Sequence, residues 1–415
     1  MHYLLVFACV VSSAALAAAS PVENALPGGA FTIAQEKNRH FRECTGLDAL
    51  LHAFSKYNAT LTPRLRAAVE INSRIRTKLQ QRNNMFGSVL AVPPAPYDIE
   101  YISAIRFGTP PQSINIAIDT GSADLWVMST DTPTDQQNGR PVYSPRKSTT
   151  SKLIPNATWS IAYGDGSGAS GIAYTDRVQL GGARFDAQVV ESATYASRSF
   201  TDDPWISGLM GLGMSWANTV RPQRAQTFAD NIKDKLPSPV FTANLRAGRP
   251  GNYNFGFVNP NEYTGAIGWA AAIPLRPWWE VRVSGIGIGG GPYLARPFAA
   301  IVDTGTTLLL LPEWMVKLYY AQVAGAAVDP YWGSWVFPCA ASLPDFKFVV
   351  GGVRGVVPGR YMRYWQYDDR MCYGGLQSSA GLGINVFGDV LLKAQFVVFD
   401  MGQMRVGFAN KKLLS

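Results

Sequence analysis

The segments IAIDTGSADLWV (116–127) and AIVDTGTTLLLL (300–311) each end an apolar run on one carboxylate, Asp119 or Asp303, and turn at once through a polar loop. A charged group on the rim of a core is costly unless it is hydrogen-bonded or put to use. One Asp-Thr-Gly alone reads equally well as an Asx turn, with the aspartate bonding its own backbone. Two copies with matched flanks argue for a pair. Carboxylates brought close at a pseudo-twofold axis cannot both ionise, so the pair holds one proton across an acidic range. One member then activates a water while its protonated partner donates to the carbonyl under attack. Gly121 and Gly305 let backbone N–H groups approach the carboxylates, and Thr120 and Thr304 can bond across the pair.

Elimination points the same way. All three histidines, His2, His40 and His52, lie in the first 88 residues, which read below as removable. Without them there is no general base for a Ser-His-Asp triad or a Cys-His pair. No His ligand for zinc remains either, and two cysteines cannot make a thiolate-only site. The pattern Gly-x-Ser-x-Gly of a nucleophile elbow does not occur. GIGIGG (285–290) has dinucleotide-fingerprint spacing but runs into Gly-Pro-Tyr and Pro297, with no helix start to receive a pyrophosphate, and reads as a surface hairpin. Neither a metal nor a cofactor is expected. Hydrolysis falls to carboxylates and water.

The elements that must position the pair are short strands. The chain has 415 residues with 40 Gly and 27 Pro, too long for one compact core. YISAIRF, INIAI, TWSIAY, RVQL and QVVES form one strand series; WEVRV, FAAIV, FKFVV and AQFVVFD form a second beyond residue 270. Each Asp-Thr-Gly is matched later by an apolar-apolar-Gly segment, Leu209-Met210-Gly211 and Val386-Phe387-Gly388. The expected fold is all-β and bilobal, two related lobes with the cleft between them and a seam near residues 264–276. The lobes are assigned to residues 89–268 and 269–415.

The first 88 residues differ in character. Residues 1–19 are a short apolar run ending in Ala17-Ala18-Ala19, the pattern of a cleaved signal peptide rather than a membrane anchor, although no basic n-region precedes it. Residues 20–88 carry helical patterns at 47–57 and 64–79, and SVLAVPPAPYD then breaks the helix as a boundary. From 21 to 88 there are ten Lys or Arg against five acids, leaving 27 against 24 beyond, so much of the net charge of +8 sits in this segment. No basic, aromatic-interleaved cluster suggests nucleic acid, and no later run suggests a membrane. Cys9 and Cys44 fall in the removable part. An exported chain most simply joins the remaining Cys339 and Cys372, separate buried thiols being the alternative. Asn58 and Asn156 stand in N-x-Thr sequons.

On these motifs the chain resembles the pepsin-like aspartic proteases, and most the fungal secreted branch of penicillopepsin, aspergillopepsin and endothiapepsin type. The resemblance rests on DTGSADLWV, WSIAYGDGSGASG, DTGTT and NVFGDVLLKAQFVVFD and spans nearly the whole chain. It implies that Asp119 and Asp303 are catalytic, with Ser122 and Thr306 as outer hydrogen-bond partners. It implies further that Tyr163, Gly164 and Asp165 lie on a flap closing over substrate, Tyr163 bonding to Trp126. By residues alone that stretch is an ordinary hairpin. Asp165 could pair with a substrate Lys, or be simple solvated charge. Phe200, Ile206 and Leu209 match the apolar substrate pocket, where lobe core is the plain alternative, and Ser207 departs from the Asp relatives commonly carry. Lys56-Tyr57 resembles the zymogen plug that pairs with the active-site carboxylates; a solvated helix-end lysine is the alternative. The resemblance thus implies a monomeric, secreted acid endopeptidase acting on polypeptides, held by its own propeptide and blocked by pepstatin-like inhibitors. A catalytically silent peptide-binding homologue is the rival, weakened because Asp119, Gly121, Asp303, Gly305 and Tyr163 are all kept.

Overall fold

In a computed structural model, residues 29–37, 45–72, 101–162, 168–201 and 206–413 are described. The fold is all-β and bilobal, and its strands follow both series expected from sequence. Two sheets present the aspartates, and they do so by the same device. In the eight-stranded sheet, strand Gln112–Asp119 runs parallel to Gly208–Gly211, with Asp119 in register with Gly211. Gly208–Gly211 pairs on its other side, antiparallel, with Leu125–Met128. In the five-stranded sheet, Phe298–Val302 runs parallel to Val386–Phe387, which pairs antiparallel with Leu309–Leu311. Each aspartate therefore follows the buried end of an inner strand and enters a turn whose exit strand lies two positions away. The apolar-apolar-Gly segment fills the gap.

A six-stranded sheet ties the halves together. Its order runs Phe31–Ala34, Asn252–Phe255, Val240–Asn244, Gln395–Asp400, Arg405–Asn410, Thr264–Ala271. The seam expected at 264–276 thus begins as a strand of this shared sheet. Phe31, Phe255, Phe241 and Phe399 stack through it at centroid distances of 4.9, 5.7 and 4.6 Å. Trp279 packs edge-on against Phe241 and Phe399 and donates Nε1 to the Leu212 carbonyl at 2.8 Å. That bond ties the start of strand Glu280–Val283, which pairs with the strand before Asp303, to the loop after Gly211.

GIGIGG behaves differently from the surface hairpin expected. Gly285–Ile288 is a buried strand against Phe346–Val350, and the turn follows it. Cys339 and Cys372 are disulfide-bonded across a separation of 33 residues, which contributes roughly 3 to 4 kcal/mol by loop closure.

The helix Gly46–Lys56 starts at a capping box in which Thr45 and Asp48 satisfy each other's backbone N–H. It buries Leu47, Leu50, Ala53 and Phe54 against Leu308, Leu310, Val336, Tyr373 and Val386. A second helix spans 63–72, and Leu65 and Ala68 join the same cluster. This apolar face holds the end of the first helix over the two Asp-Thr-Gly turns. The expected signal peptide at 1–19, residues 73–88 and the expected lobe start at 89 lie outside the described residues.

Candidate active site

Asp119 and Asp303 are 1 % and 0 % exposed and face each other with their turns interlocked. Gly121 N donates to Asp119 Oδ1 at 2.8 Å and Gly305 N to Asp303 Oδ1 at 2.9 Å. Ser122 Oγ donates to Asp119 Oδ2 at 2.6 Å, and Thr306 Oγ1 donates to Asp303 Oδ2. A methyl group at Gly121 would collide with the Asp303 carboxylate, and one at Gly305 with that of Asp119, so glycine is required at both for the carboxylates to converge. Thr120 and Thr304 form the scaffold beneath. Each backbone N–H donates to the other's Oγ1, at 3.1 and 3.0 Å, and each Oγ1 donates to a carbonyl of the opposite strand, Val302 or Ile118, at 2.8 and 2.9 Å. The symmetry of those four bonds fixes the carboxylate separation without using either carboxylate.

The end of the first helix enters this site. Lys56 Nζ donates to Asp119 Oδ1 at 2.7 Å and to both oxygens of Asp303 at 2.9 Å, and Tyr57 Oη donates to Asp303 Oδ2 at 2.7 Å. The Tyr57 ring stands edge-on to Trp278 at 5.5 Å. Burial opposes the Asp303 charge, but Lys56 and the donated hydrogen bonds outweigh it and hold that carboxyl below the usual range. Burial raises Asp119, Lys56 countering it and the Asp303 charge adding to it, so the proton of the pair belongs on the Asp119 side. Burial also opposes the Lys56 charge, yet the two carboxylates keep the ammonium above its ordinary value. Tyr57 is pushed well up, by burial and then by Asp303.

The other residues singled out in the sequence divide. Tyr163, Gly164 and Asp165 lie outside the described residues, between strands Lys152–Ala162 and Gly168–Leu180, whose ends pair Ala162 with Gly168. Trp126 is buried between Trp159 and Phe200, at 6.0 and 5.0 Å, and its indole N–H has no partner among the described residues. Phe200 and Leu209 pack half-buried on the Trp126 cluster, and Ile206 is buried beside them in sequence. Asn58 and Asn156 are both exposed with positive φ, 49° and 60°, Asn58 in the turn after the first helix and Asn156 where strand Lys152–Ala162 shifts register between Leu153 and Thr158.

Two constellations escaped the sequence reading. Ser207, in place of the expected Asp, donates Oγ to the Pro141 carbonyl at 2.6 Å. Beside it the buried Arg140 donates to the carbonyls of Phe200 at 2.9 Å, Ile206 at 2.5 Å and Thr201 at 2.6 Å. One guanidinium thus holds the backbone of the loop that carries Phe200 and Ile206. Nothing in NGRPVY signals this, since the acceptors are main-chain atoms sixty and more residues away.

The second is a buried acid pair. Asn218 Nδ2 donates to Asp124 Oδ1 at 3.1 Å and to Glu191 Oε1 at 2.8 Å, and Glu191 lies in register with Trp126 on the next strand. Burial and then Asp124 push Glu191 well up; burial also raises Asp124. A carboxyl whose folded value exceeds its unfolded one stabilises the fold in acid and withdraws that support as pH rises through the folded value. Glu191→Gln keeps the shape and the acceptor for Asn218. It is expected to leave stability near pH 4 unchanged and to add on the order of 2 kcal/mol at pH 7. Thermal melts of both proteins across that range check this, and parallel curves at both pH values would refute it.

A family model described as eukaryotic aspartyl protease matches residues 100–411. This chain belongs to that family. Among curated relatives, endothiapepsin of Cryphonectria parasitica is 44 % identical over 92 % of this chain and 91 % of its own length. Podosporapepsin of Podospora anserina is 42 % identical over 94 % and 92 %, and penicillopepsin-3 of Penicillium janthinellum 39 % over 95 % and 96 %. The chain is therefore a fungal-type pepsin-like enzyme, an aspartic endopeptidase.

Proposed function

We propose that this aspartyl protease is a secreted acid endopeptidase made as a zymogen, with residues 1–19 as signal peptide, 20–88 as prosegment, and lobes at 89–268 and 269–415. Asp119 and Asp303 are the catalytic pair in this reading. The observation that carries it is the Lys56 ammonium within 2.9 Å of both carboxylates, with Tyr57 on the outer oxygen of Asp303. A cation there satisfies two buried charges while filling the point where an attacking water must sit.

With the segment gone, the pair shares one proton. The ionised carboxylate takes a proton from water as its oxygen attacks the peptide carbonyl carbon, and the protonated carboxyl gives its proton to the carbonyl oxygen. Collapse of the tetrahedral diol breaks the C–N bond, with a dyad proton passing to the leaving nitrogen. Ser122, Thr306, Gly121 and Gly305 hold the carboxylates for this, and Thr120 and Thr304 hold the turns. Phe200, Ile206 and Leu209 favour apolar residues beside the scissile bond. Tyr163 and Gly164 close over the substrate with Trp126, and Asp165 gives tolerance for a substrate Lys. The enzyme acts on polypeptides as a monomer, binds pepstatin-like inhibitors and its own propeptide, and needs no cofactor. Export is supported by the N-terminal apolar run and by Asn58 and Asn156, exposed sequons of a glycoprotein; among the described residues no helix is long and apolar enough to cross a membrane.

The test is to incubate the purified precursor with a mixed peptide library at about pH 3.5 and about pH 7, reading products by mass spectrometry. Acid-only trimming near residue 88 and cuts between apolar residues are expected. No cleavage at either pH, after another protease has removed the segment, would reassign the fold to peptide binding.

A further inference from the structure

The segment that carries Phe200 and Ile206 is tied to one short stretch of chain, residues 136–141. Arg140 is 5 % exposed and spreads its guanidinium over main-chain carbonyls. Nε donates to Gln137 at 2.8 Å, Nη1 to Phe200 at 2.9 Å and Ile206 at 2.5 Å, and Nη2 to Thr201 at 2.6 Å. Its neighbours repeat the attachment. Gln136 Oε1 accepts from Ala196 N at 2.9 Å, Asn138 Nδ2 donates to the Thr201 carbonyl at 3.1 Å, and the Pro141 carbonyl accepts from Ser207 Oγ at 2.6 Å. The stretch leaves the helix Thr134–Gln137 through Asn138, whose φ is 48°. Arg140 N also donates to the Gln137 carbonyl, at 3.2 Å, so the same turn holds the residue at its backbone and at Nε.

The segment so held runs between the hairpin and the dyad strand. Its start is fastened to strand Gly168–Leu180: Ser197 N donates to the Gly168 carbonyl at 2.8 Å, and Ser197 Oγ accepts from Gly168 N at 3.1 Å. It ends in strand Gly208–Gly211, which sets Leu209 in register with Ala117 and Gly211 with Asp119. Between these ends the Phe200 ring stands edge-on to Trp126 at 5.0 Å. Phe200 and Leu209 are half-buried, whereas the Trp126 cluster they pack on is buried. They therefore keep an open apolar side, as a pocket wall does and the middle of a core does not. Arg140 fixes the backbone behind that wall, and one of its nitrogens joins positions 200 and 206. A guanidinium suits the task because its donors are coplanar and forked, while a lysine ammonium is a point charge that cannot span the same carbonyls.

We propose that Arg140 is a positioning residue for substrate selection, setting Phe200 and Ile206 against Leu209 so that together they grip the apolar residue on the amino side of the scissile bond. It touches no substrate and acts through the carbonyls it gathers. The proposal rests on the reading of this chain as an endopeptidase with that pocket. Loosening the clamp lets the wall relax, which costs a side chain that fills the pocket more than a small one that does not.

The test compares mature parent and Arg140→Lys, in acid, on two peptides that differ only in the residue before the scissile bond, Phe or Ala. The parent is expected to favour Phe. The variant should lose about tenfold of that preference, through a higher KM for the Phe peptide rather than a lower kcat, with the Ala peptide changed less than about twofold. Asn138→Gly removes one tie at a φ that glycine adopts freely, and should lose about threefold. A merely structural role would lower the melting temperature or scale both peptides together. An unchanged Phe-to-Ala ratio in both variants, whatever their melting temperatures, overturns the proposal; should Arg140→Lys not fold, the Asn138→Gly ratio decides alone. Fluorescence anisotropy of the same labelled peptides with Asp303→Asn and Asp303→Asn/Arg140→Lys reads the preference without chemistry. A preference lost in binding while no protein cleaves would refute the endopeptidase reading and support this one. A parent that distinguishes Phe from Ala in neither assay refutes the pocket, and this proposal with it.

Discussion

Mature enzyme carrying Asp303→Asn is expected to lose about four orders of magnitude in kcat, with KM little changed, because general acid and general base each contribute roughly 10²- to 10⁴-fold and the amide can serve as neither. The fold should survive. The amide oxygen can still accept from Gly305 N, the amide nitrogen can donate to the Thr306 hydroxyl, and the four bonds between the Thr120 and Thr304 turns use neither carboxylate. A melting temperature near that of the parent would separate lost chemistry from lost structure. Since the variant cannot trim itself, its prosegment must be removed by a second protease before the assay. Single-turnover cleavage of one apolar peptide, measured beside the parent, is the readout. Residual activity near a tenth of the parent would remove Asp303 from the chemistry and leave it a structural acceptor.

What made the pair legible was redundancy. Asp119 and Asp303 each ended an apolar strand, each was followed by Thr-Gly, and each strand had a later apolar-apolar-Gly partner, so one pattern was written twice. The helix at 46–56 was legible for a local reason, its buried stripe of Leu47, Leu50, Ala53 and Phe54. Features that depend on distant backbone were not. Phe31–Ala34 is four residues whose strand character comes from pairing with Asn252–Phe255. The Arg140 acceptors are carbonyls, which any residue supplies. Glu191 sits at an ordinary alternate position on its strand, and only the fold sets it beside Asp124. GIGIGG misled because loss of side chains reads as a turn, whereas here it allows close approach: a methyl at Gly285 would strike the Leu294 carbonyl.

Replacing Lys56 by Met should make the precursor open at higher pH, and the sign follows from the dyad. With Lys56 in place Asp303 is held below the usual carboxylate range, so docking of the segment is favoured above that range and loses this support as pH falls through the lowered value. Lys56 itself, held above its ordinary value, stays charged throughout, so the acid response belongs to the carboxylates. Met keeps most of the volume but leaves two buried carboxyls and the Tyr57 hydroxyl facing one another without a cation. Removing one partner of a buried pair costs about 3 to 5 kcal/mol. Spread over two titrating carboxyls, that moves the midpoint of self-trimming upward by roughly one to two pH units. Tyr57→Phe deletes one hydrogen bond to the same Asp303 oxygen, and a smaller shift, about half a unit, is expected. Trimming followed by mass spectrometry between about pH 3 and pH 7 would rank parent, Tyr57→Phe and Lys56→Met in that order. An unchanged midpoint in Lys56→Met would mean that the apolar face of the helix, packed on Leu308, Leu310 and Tyr373, holds the segment without help from the ion pair. The switch would then have to be sought in acids elsewhere on the docking surface.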